Sequence, residues 1–301
     1  MSENRIVVVG SYNHDISLSV ARLPVPGETC LGLGRLESPG GKGSNQAIQA
    51  ARAGASVAIV AAVGQDGPGD AAMALWTAEG VDTRGVVRLA DVGTGMAVIL
   101  VDSNAENVIV VDSGANARLD PAHIDAAGSL IAQSRLVLAQ METPTASTVR
   151  AFGMARAAGA ATVLNAAPAP DQVDPALLAL TDILIVNEGE GQAISGHAEA
   201  MAIGEALAGR VARAVVVTLG RRGAMLFEAR GPVHVLAPPV VEVIDTTGAG
   251  DAFTGAFAAR WSADGDAAAA LAWGVTAGAL ACTAKGAAIS CPDRARIAAL
   301  I

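Results

Sequence analysis

Lysine is nearly missing from this chain of 301 residues: Lys42 and Lys285 are the only two, and every other fixed positive charge is an arginine. The formal net charge of −9 excludes a broad nucleic-acid or anionic-membrane surface. Aromatics are only 3% of the residues, with a single tyrosine, so a broad platform for stacking a base is not in evidence. The three cysteines, Cys30, Cys282 and Cys291, form no C-x-x-C pair, which argues against a disulfide framework or a zinc site. Buried, reduced thiols are expected instead. The longest weakly polar stretch, 272–284, is Gly- and Ala-rich and stops at Lys285, too short to span a bilayer. The first five residues are polar and no signal-peptide pattern is visible, so a cytoplasmic location is expected by elimination. Two phosphate-binding patterns are also missing: there is no Walker A loop and no G-x-G-x-x-G fingerprint.

What is present is rhythm. Apolar residues make up 52% of the chain, mostly Ala and Val, enough for a sizeable core. Short β-branched runs at 6–9, 57–63, 136–139, 161–164, 183–186 and 214–218 alternate with helical spacing at 44–53, 70–79, 145–158 and 199–210. Near-continuous apolar strands separated by helices predict a mostly parallel sheet buried on both faces, joined by right-handed crossovers. Two regions break the rhythm. Runs 95–102 and 107–112, joined by Ser103-Asn104-Ala105-Glu106, predict a β-hairpin, and 16–38 reads as extended chain broken by Pro24, Pro26 and Gly27. Together, 16–38 and 92–113 are expected to form a small β-appendage interleaved with one α/β domain spanning 1–301. A decorative insertion is the plainer account of the hairpin.

Three clusters carry candidate chemistry. Strand 6–9 runs into Gly10-Ser11-Tyr12-Asn13-His14-Asp15, and ligands of open parallel sheets sit beyond the carboxyl ends of strands. Asn13 and Asp15 share a side of extended chain and offer donors and acceptors suited to a polyol. Taken alone, the pair reads more readily as a turn whose side chains cap the backbone. The second cluster, Gly40-Gly41-Lys42-Gly43-Ser44-Asn45-Gln46-Ala47, lets backbone approach a small ligand closely, with Asn45 in the first helical turn. A bare glycine cluster is equally a helix entry. The third is Asp245-Thr246-Thr247-Gly248-Ala249-Gly250-Asp251. Small residues at a helix start leave N–H groups open as an anion hole, and Asp251 sits in that first turn. An Asp that only caps a helix needs no Gly-Ala-Gly before it, so a catalytic base is the preferred reading.

In order and separation, the second and third clusters resemble the two signatures of the ribokinase-like (PfkB) carbohydrate kinase family. The similarity extends to Pro26-Gly27-Glu28-Thr29, Gln140-Met141-Glu142, Asn165-Ala166-Ala167-Pro168-Ala169, Asn187-Glu188-Gly189-Glu190 and Thr218-Leu219-Gly220-Arg221-Arg222-Gly223. It is strongest to the ribose-phosphorylating members. The resemblance implies a three-layer α/β/α fold, with a central mostly parallel sheet and a small β-sheet lid. It implies transfer of the γ-phosphate of ATP to D-ribose, with Asp251 as base and Gly248, Ala249 and Gly250 as the anion hole. Asn13, Asp15, Gly41, Lys42, Asn45, Glu142 and Asp251 would meet the sugar. Asn187, Thr218, Gly220, Gly223 and Gly250 would meet the nucleotide, and Glu190 would hold Mg²⁺ through water. Asp245, Thr247, Ala281, Ala284, Gly286 and Ser290 would hold a monovalent cation, usually K⁺, and the lid would form a homodimer. Tyr12 and His14 depart from the family pattern beside the sugar-contacting pair. Arg35 in the lid leaves a phosphorylated substrate open. The alternatives are a family kinase for 2-deoxyribose, a nucleoside or a fructose-type sugar, and a non-catalytic sugar-binding regulator on the same fold.

Overall fold

The computed structural model describes residues 5–104, 106–169 and 173–301; Ala105 of the predicted hairpin turn and the first four residues lie outside these. Among the described residues there are thirteen strands, in order β1 Arg5–Val9, β2 Asn13–Val20, β3 Gly32–Gly40, β4 Ser56–Gly64, β5 Asp82–Leu89, β6 Met96–Val101, β7 Asn107–Asp112, β8 Leu136–Ala139, β9 Ala161–Asn165, β10 Ile183–Asn187, β11 Ala214–Thr218, β12 Ala224–Glu228 and β13 Val233–Leu236. Nine of them form one sheet in the order β13-β12-β11-β10-β9-β8-β1-β4-β5. The seven from β11 to β5 run parallel, and β12 and β13 extend the sheet antiparallel at one edge.

The apolar runs form strands because both faces of this sheet are covered. In β1, Ile6, Val7, Val8 and Val9 are all fully buried. Successive side chains point to opposite faces. Ile6 and Val8 join a core with Phe253, Phe257 and Leu271 from the helices Ala249–Asp264 and Ala267–Ala281. Val7 and Val9 join a second core with Phe152, Leu177 and Leu207 from helices on the other side. The result is three layers.

Strand β1 lies inside the sheet, third from its β5 edge. The chain builds outward from it to β4 and β5 on one side and to β8 and its successors on the other. Such a reversal opens a crevice at the carboxyl ends of the two strands that flank it, β1 and β8. Here those ends lead to Gly10-Ser11 and Gln140-Met141-Glu142.

The remaining four strands make a separate sheet, β3-β2-β6-β7, with β2 parallel to β6 and the outer pairs antiparallel. It starts earlier than the extended region in the sequence suggests: β2 begins at Asn13, and Asn13 pairs with Gly40. Only Gly10, Ser11 and Tyr12 separate β1 from β2, and only Gly41 separates β3 from the helix Lys42–Arg52. Both junctions carry candidate site residues. The small sheet leaves Leu33 71% and Val110 66% exposed.

The cysteines depart from expectation: Cys291 is buried, but Cys30 is exposed and Cys282 half-buried, and all three are free thiols.

Arg52, the last residue of its helix, ties two distant segments together. Its guanidinium donates to both oxygens of Glu79, at 2.9 and 2.6 Å, and to the carbonyls of Ala288 and Cys291, at 3.1 and 2.8 Å. A lysine cannot reproduce that fork. Arg52→Lys is expected to lower the unfolding free energy by about 2 kcal/mol, read as a lower urea midpoint at constant m. An unchanged midpoint would remove this fork from the fold's support.

Candidate active site

The crevice is built on a backbone contact. A Cβ on Gly43 would lie 2.4 Å from Ser11 N and 2.6 Å from Gly10 C, and one on Gly10 would lie 2.7 Å from Gly43 Cα. Glycine at both places lets the start of the helix Lys42–Arg52 lie directly on the end of β1. Ser44 N–H donates to Ser11 O at 2.9 Å, and Gly43 N–H donates to Ser11 Oγ at 3.3 Å. Gly41 opens this helix at φ 85°. The Glu142 carboxylate is pinned through Oε2, which accepts from Ser11 Oγ and, at 2.9 Å, from Lys42 N–H.

Asn13 and Asp15 sit on the first turns of the small sheet's β2. Asn116, buried and in no motif, accepts from Tyr12 N–H at 3.0 Å and donates through Nδ2 to Tyr12 O and to Asn13 Oδ1, both at 2.9 Å. With its carbonyl engaged, Asn13 keeps its amide N–H groups for a ligand. Burial, and then the Glu142 charge, push the Asp15 carboxyl up to about 6. Tyr12 does not line the crevice: its ring is buried edge-on against Trp76, with centroids 5.6 Å apart. His14 pairs with Glu37 at 2.7 Å, and Arg35 pairs with the same carboxylate.

Asp251 lies at the floor, 8% exposed, in the first turn of the helix Ala249–Asp264. Asn45 Nδ2 donates to its Oδ2 and Gln46 Nε2 to its Oδ1, both at 2.9 Å. Burial pushes its carboxyl above the ordinary value, while Lys42 and these two amides pull the other way. Burial alone would push the Lys42 ammonium down, but Asp251, Glu142, Glu190 and Asp15 hold it above its usual value. Lys42 is therefore a cation held among carboxylates. Asn45 Oδ1 and Thr254 Oγ1 are buried without a hydrogen-bond partner.

Gly248 caps the helix with φ 76°. Ala252 N–H donates to Gly248 O at 2.8 Å, so the N–H groups of Gly250 and Asp251 precede the first intrahelical bond. The Ala249 N–H, expected in the anion hole, donates to Thr246 O at 3.2 Å. A cavity of about 150 Å³ opens in front of this turn, bordered by Lys42, Glu190, Gly248, Gly250, Asp251 and Thr254. Asn187 and Glu190 border it too, as a reciprocal cap: Glu190 N–H donates to Asn187 Oδ1 and Asn187 N–H to Glu190 Oε2, both at 2.8 Å. Burial raises the Glu190 carboxyl against the opposing pull of the Asn187 N–H and of Lys42.

Beyond Thr218 and Gly250, which border both spaces, lies a larger cavity of about 480 Å³. Gly220 and Gly223 line one wall, and Pro238, Val240, Phe253 and Val275 supply much of the rest. Of the six positions expected to hold a monovalent cation, three meet at one carboxylate. Asp245 Oδ1 accepts from Thr247 N–H at 2.9 Å and Thr247 Oγ1 at 2.6 Å, and Asp245 Oδ2 accepts from Gly286 N–H at 2.9 Å. Although burial opposes it, these bonds hold Asp245 below its ordinary value. Ala281 O accepts from Ala284 N–H at 3.4 Å, and Ser290 Oγ donates to Ala287 O at 2.9 Å.

Three residues that shape the site were not among the expected ones. Asn116 stands 103 positions from Asn13, with no local pattern to mark it. Thr254 reads as one more small residue in a helix. Gln46 lies inside the double-glycine cluster, but only its contacts set it apart.

The family model described as pfkB family carbohydrate kinase matches residues 3–294. The chain is 38% identical to a ribokinase of Mus musculus over 84% of this chain and 80% of that one. It is 36% identical to a ribokinase of Haemophilus influenzae over 96% of this chain and 95% of the other. Among solved structures, Arabidopsis thaliana ribokinase complexed with ribose and ATP superposes with a TM-score of 0.92 at 30% identity, covering 99% of this chain and 98% of that one. The motifs, the three-layer fold with its separate small sheet, and these likenesses agree: this chain belongs to the pfkB family of carbohydrate kinases.

Proposed function

We propose that this protein is an ATP-dependent ribokinase that converts D-ribose and ATP to D-ribose 5-phosphate and ADP. The observation that carries the reading is the position of Asp251: a buried carboxylate held by two amide donors, beside the polar crevice residues and in the first turn at an open helix N-terminus. Asn13, Asp15, Asn45 and Glu142 supply the mixed donors and acceptors that ring hydroxyls require, and the unpartnered Asn45 Oδ1 calls for a donor such as a hydroxyl. Arg35 is engaged by Glu37, which argues against its serving a sugar phosphate.

Asp251 accepts the proton of the attacking hydroxyl as the bond from that oxygen to the γ-phosphorus forms and the bond to the bridging oxygen breaks, releasing ADP. The N–H groups of Gly250 and Asp251 face the charge that spreads over the transferred group, as does Lys42. The apolar wall of the larger cavity suits a purine, and Thr218, Gly220 and Gly223 lie along the nucleotide's path. Glu190 and Asn187 border the phosphate end and fit Mg²⁺ held through water; bound Mg²⁺ supplies charge neutralisation on phosphate oxygens. Asp245 with the Thr247 hydroxyl at its carboxylate offers oxygen donors that suit a weakly hydrated K⁺ ion. Two copies pairing through the small sheet would cover its exposed Leu33 and Val110.

The test is ADP release with Mg-ATP across D-ribose, 2-deoxyribose, fructose and adenosine, each in K⁺ and in Na⁺. D-Ribose in K⁺ is expected to be fastest. Preference for another substrate would reassign the sugar, equal rates in both salts would remove the cation site, and no release with any substrate would favour a binding protein.

Asp15 gives a pH signature. Its proton is held up to about pH 6 in the fold, whereas an unfolded chain loses it in the ordinary carboxylate range. Asp15 therefore favours folding at low pH, and that contribution is lost as pH rises from the ordinary range through 6. Hydroxyl donors favour the charged form, so sugar affinity should weaken below pH 6. Asp15→Asn is expected to raise Tm at pH 7.5 while raising the sugar KM about tenfold or more. A lower Tm with an unchanged KM would contradict both halves.

A further inference from the structure

Behind Asp251 lies a chain of buried amides whose direction is set by one backbone carbonyl; Asn165 and Ile185 at one end of it border the cavity, and Gln46 and Gln140 do not. Asn165 Nδ2 donates to Ile185 O at 3.2 Å, an acceptor that cannot turn round. Asn165 Oδ1 therefore faces Gln46 and must receive a donor, which Gln46 Nε2 supplies at 2.9 Å. The same Nε2 donates to Asp251 Oδ1, also at 2.9 Å. With its nitrogen so committed, Gln46 turns Oε1 toward Gln140, whose Nε2 donates at 2.7 Å. Gln46 is fully buried, and Gln140 is 1% exposed with its own Oε1 left unpartnered. An unsatisfied buried carbonyl is costly, so Gln140 is held in this orientation by what it does for Gln46.

We propose that Gln46 is a positioning residue for Asp251, presenting a permanently oriented N–H donor that fixes the carboxylate's rotation and favours its charged, proton-accepting form. The proposal rests on the reading of Asp251 as the base. On protonation, one of the two oxygens that now accept from Asn45 and Gln46 would carry the hydrogen and become the poorer acceptor. The chain from Ile185 forbids the amide flip that would relieve this, because the flip would set Gln46 Oε1 against Asn165 Oδ1. The other charged or titratable groups facing Asp251 are Lys42, on the same helix as Gln46, Asp15 from β2, Glu142 after β8, Glu190 after β10 and Cys291 from the C-terminal segment. Lys42 favours the charged form and the carboxylates oppose it; Gln46 and Asn45 are the donors in direct contact.

The same amides could merely glue the helix Lys42–Arg52 to the sheet, and a titration separates the two roles. In full-length protein carrying ¹³Cγ-labelled aspartate, the Asp251 signal is the one lost in Asp251→Asn. Its titration midpoint is expected to move to higher pH in Gln46→Met, and to move less, in the same direction, in Gln140→Met. In turnover, Gln46→Met is expected to lower kcat about 10- to 100-fold, with the acid limb of its pH profile displaced upward and both KM values within about threefold of wild type. An unmoved midpoint, or a loss of kcat equal at every pH, would overturn the proposal in favour of a packing role. Should Gln46→Met fail to fold, Gln46→Glu keeps the shape and sets a second carboxyl against Asp251. A raised midpoint there supports the proposal and an unchanged one overturns it. If wild type phosphorylates no sugar yet the midpoint still rises in Gln46→Met, the positioning stands and only the assigned reaction falls.

Discussion

Asp251→Asn should lower kcat about 10²- to 10⁴-fold, with ATP and sugar dissociation constants nearly unchanged. The substitution conserves shape and removes the proton acceptor. It also places an NH₂ group where both neighbours already donate: one carboxylate oxygen meets Asn45 Nδ2 and the other Gln46 Nε2, each at 2.9 Å. Whichever way the new amide turns, one nitrogen faces a nitrogen. Some loss of stability is therefore expected beside the loss of turnover, and binding should be measured by calorimetry on protein shown to be folded. Near-normal turnover would remove Asp251 from the role of base.

Gly248→Ala should be nearly as damaging, about 10²- to 10³-fold in kcat, for a reason of backbone geometry. Gly248 sits at φ 76°, and a Cβ there would stand 2.7 Å from both Cα and Cβ of Ala287. The chain must leave the left-handed region or push the 286–290 segment away, and either moves the helix start from in front of the cavity. Gly250→Ala is the matching control for folding, since a Cβ at that position meets no protein atom within 4 Å. Thermal denaturation should place Gly248→Ala below wild type and Gly250→Ala close to it. Equal melting of both variants would contradict the assignment of strain to Gly248.

The seven parallel strands were mostly legible because burial on both faces demands continuous β-branched runs. Val215, Val216 and Val217 of β11 are all fully buried. Strand β5 escaped the same reading. It is the sheet's edge, carries Arg84, Gly85 and Arg88, and offers no unbroken apolar run. Strands β12 and β13 were missed because they return antiparallel, with only a 3-10 turn at Gly220–Arg222 and no α-helix between β11 and β12. Within the site, Asp251 was legible because an open helix start demands small residues that stand out in sequence. Asn116 was not, since any buried amide could have occupied a position so far from its partner. Gln46 lies between these cases: its position was visible within a motif, but its task depends on which way an amide faces. That direction is decided by the Ile185 carbonyl, which belongs to a different strand.

The contact between Gly10 and Gly43 also bears on how this protein can change. At most close contacts, a larger residue on one side can be offset by a smaller one on the other, so a second substitution rescues the first. Here both sides already carry the smallest residue there is: a Cβ on Gly43 meets backbone of Ser11 and Gly10, and one on Gly10 meets Gln140 Oε1 at 2.3 Å and Gly43 Cα at 2.7 Å. No second-site replacement at the facing position can make room. In a saturation screen, both positions should tolerate almost nothing singly and gain nothing in combination, while positions such as Gly67 and Gly153, where an added Cβ meets no atom within 4 Å, stay permissive. The junction beside the crevice is thus a point where the sequence has no neighbouring solution to drift into.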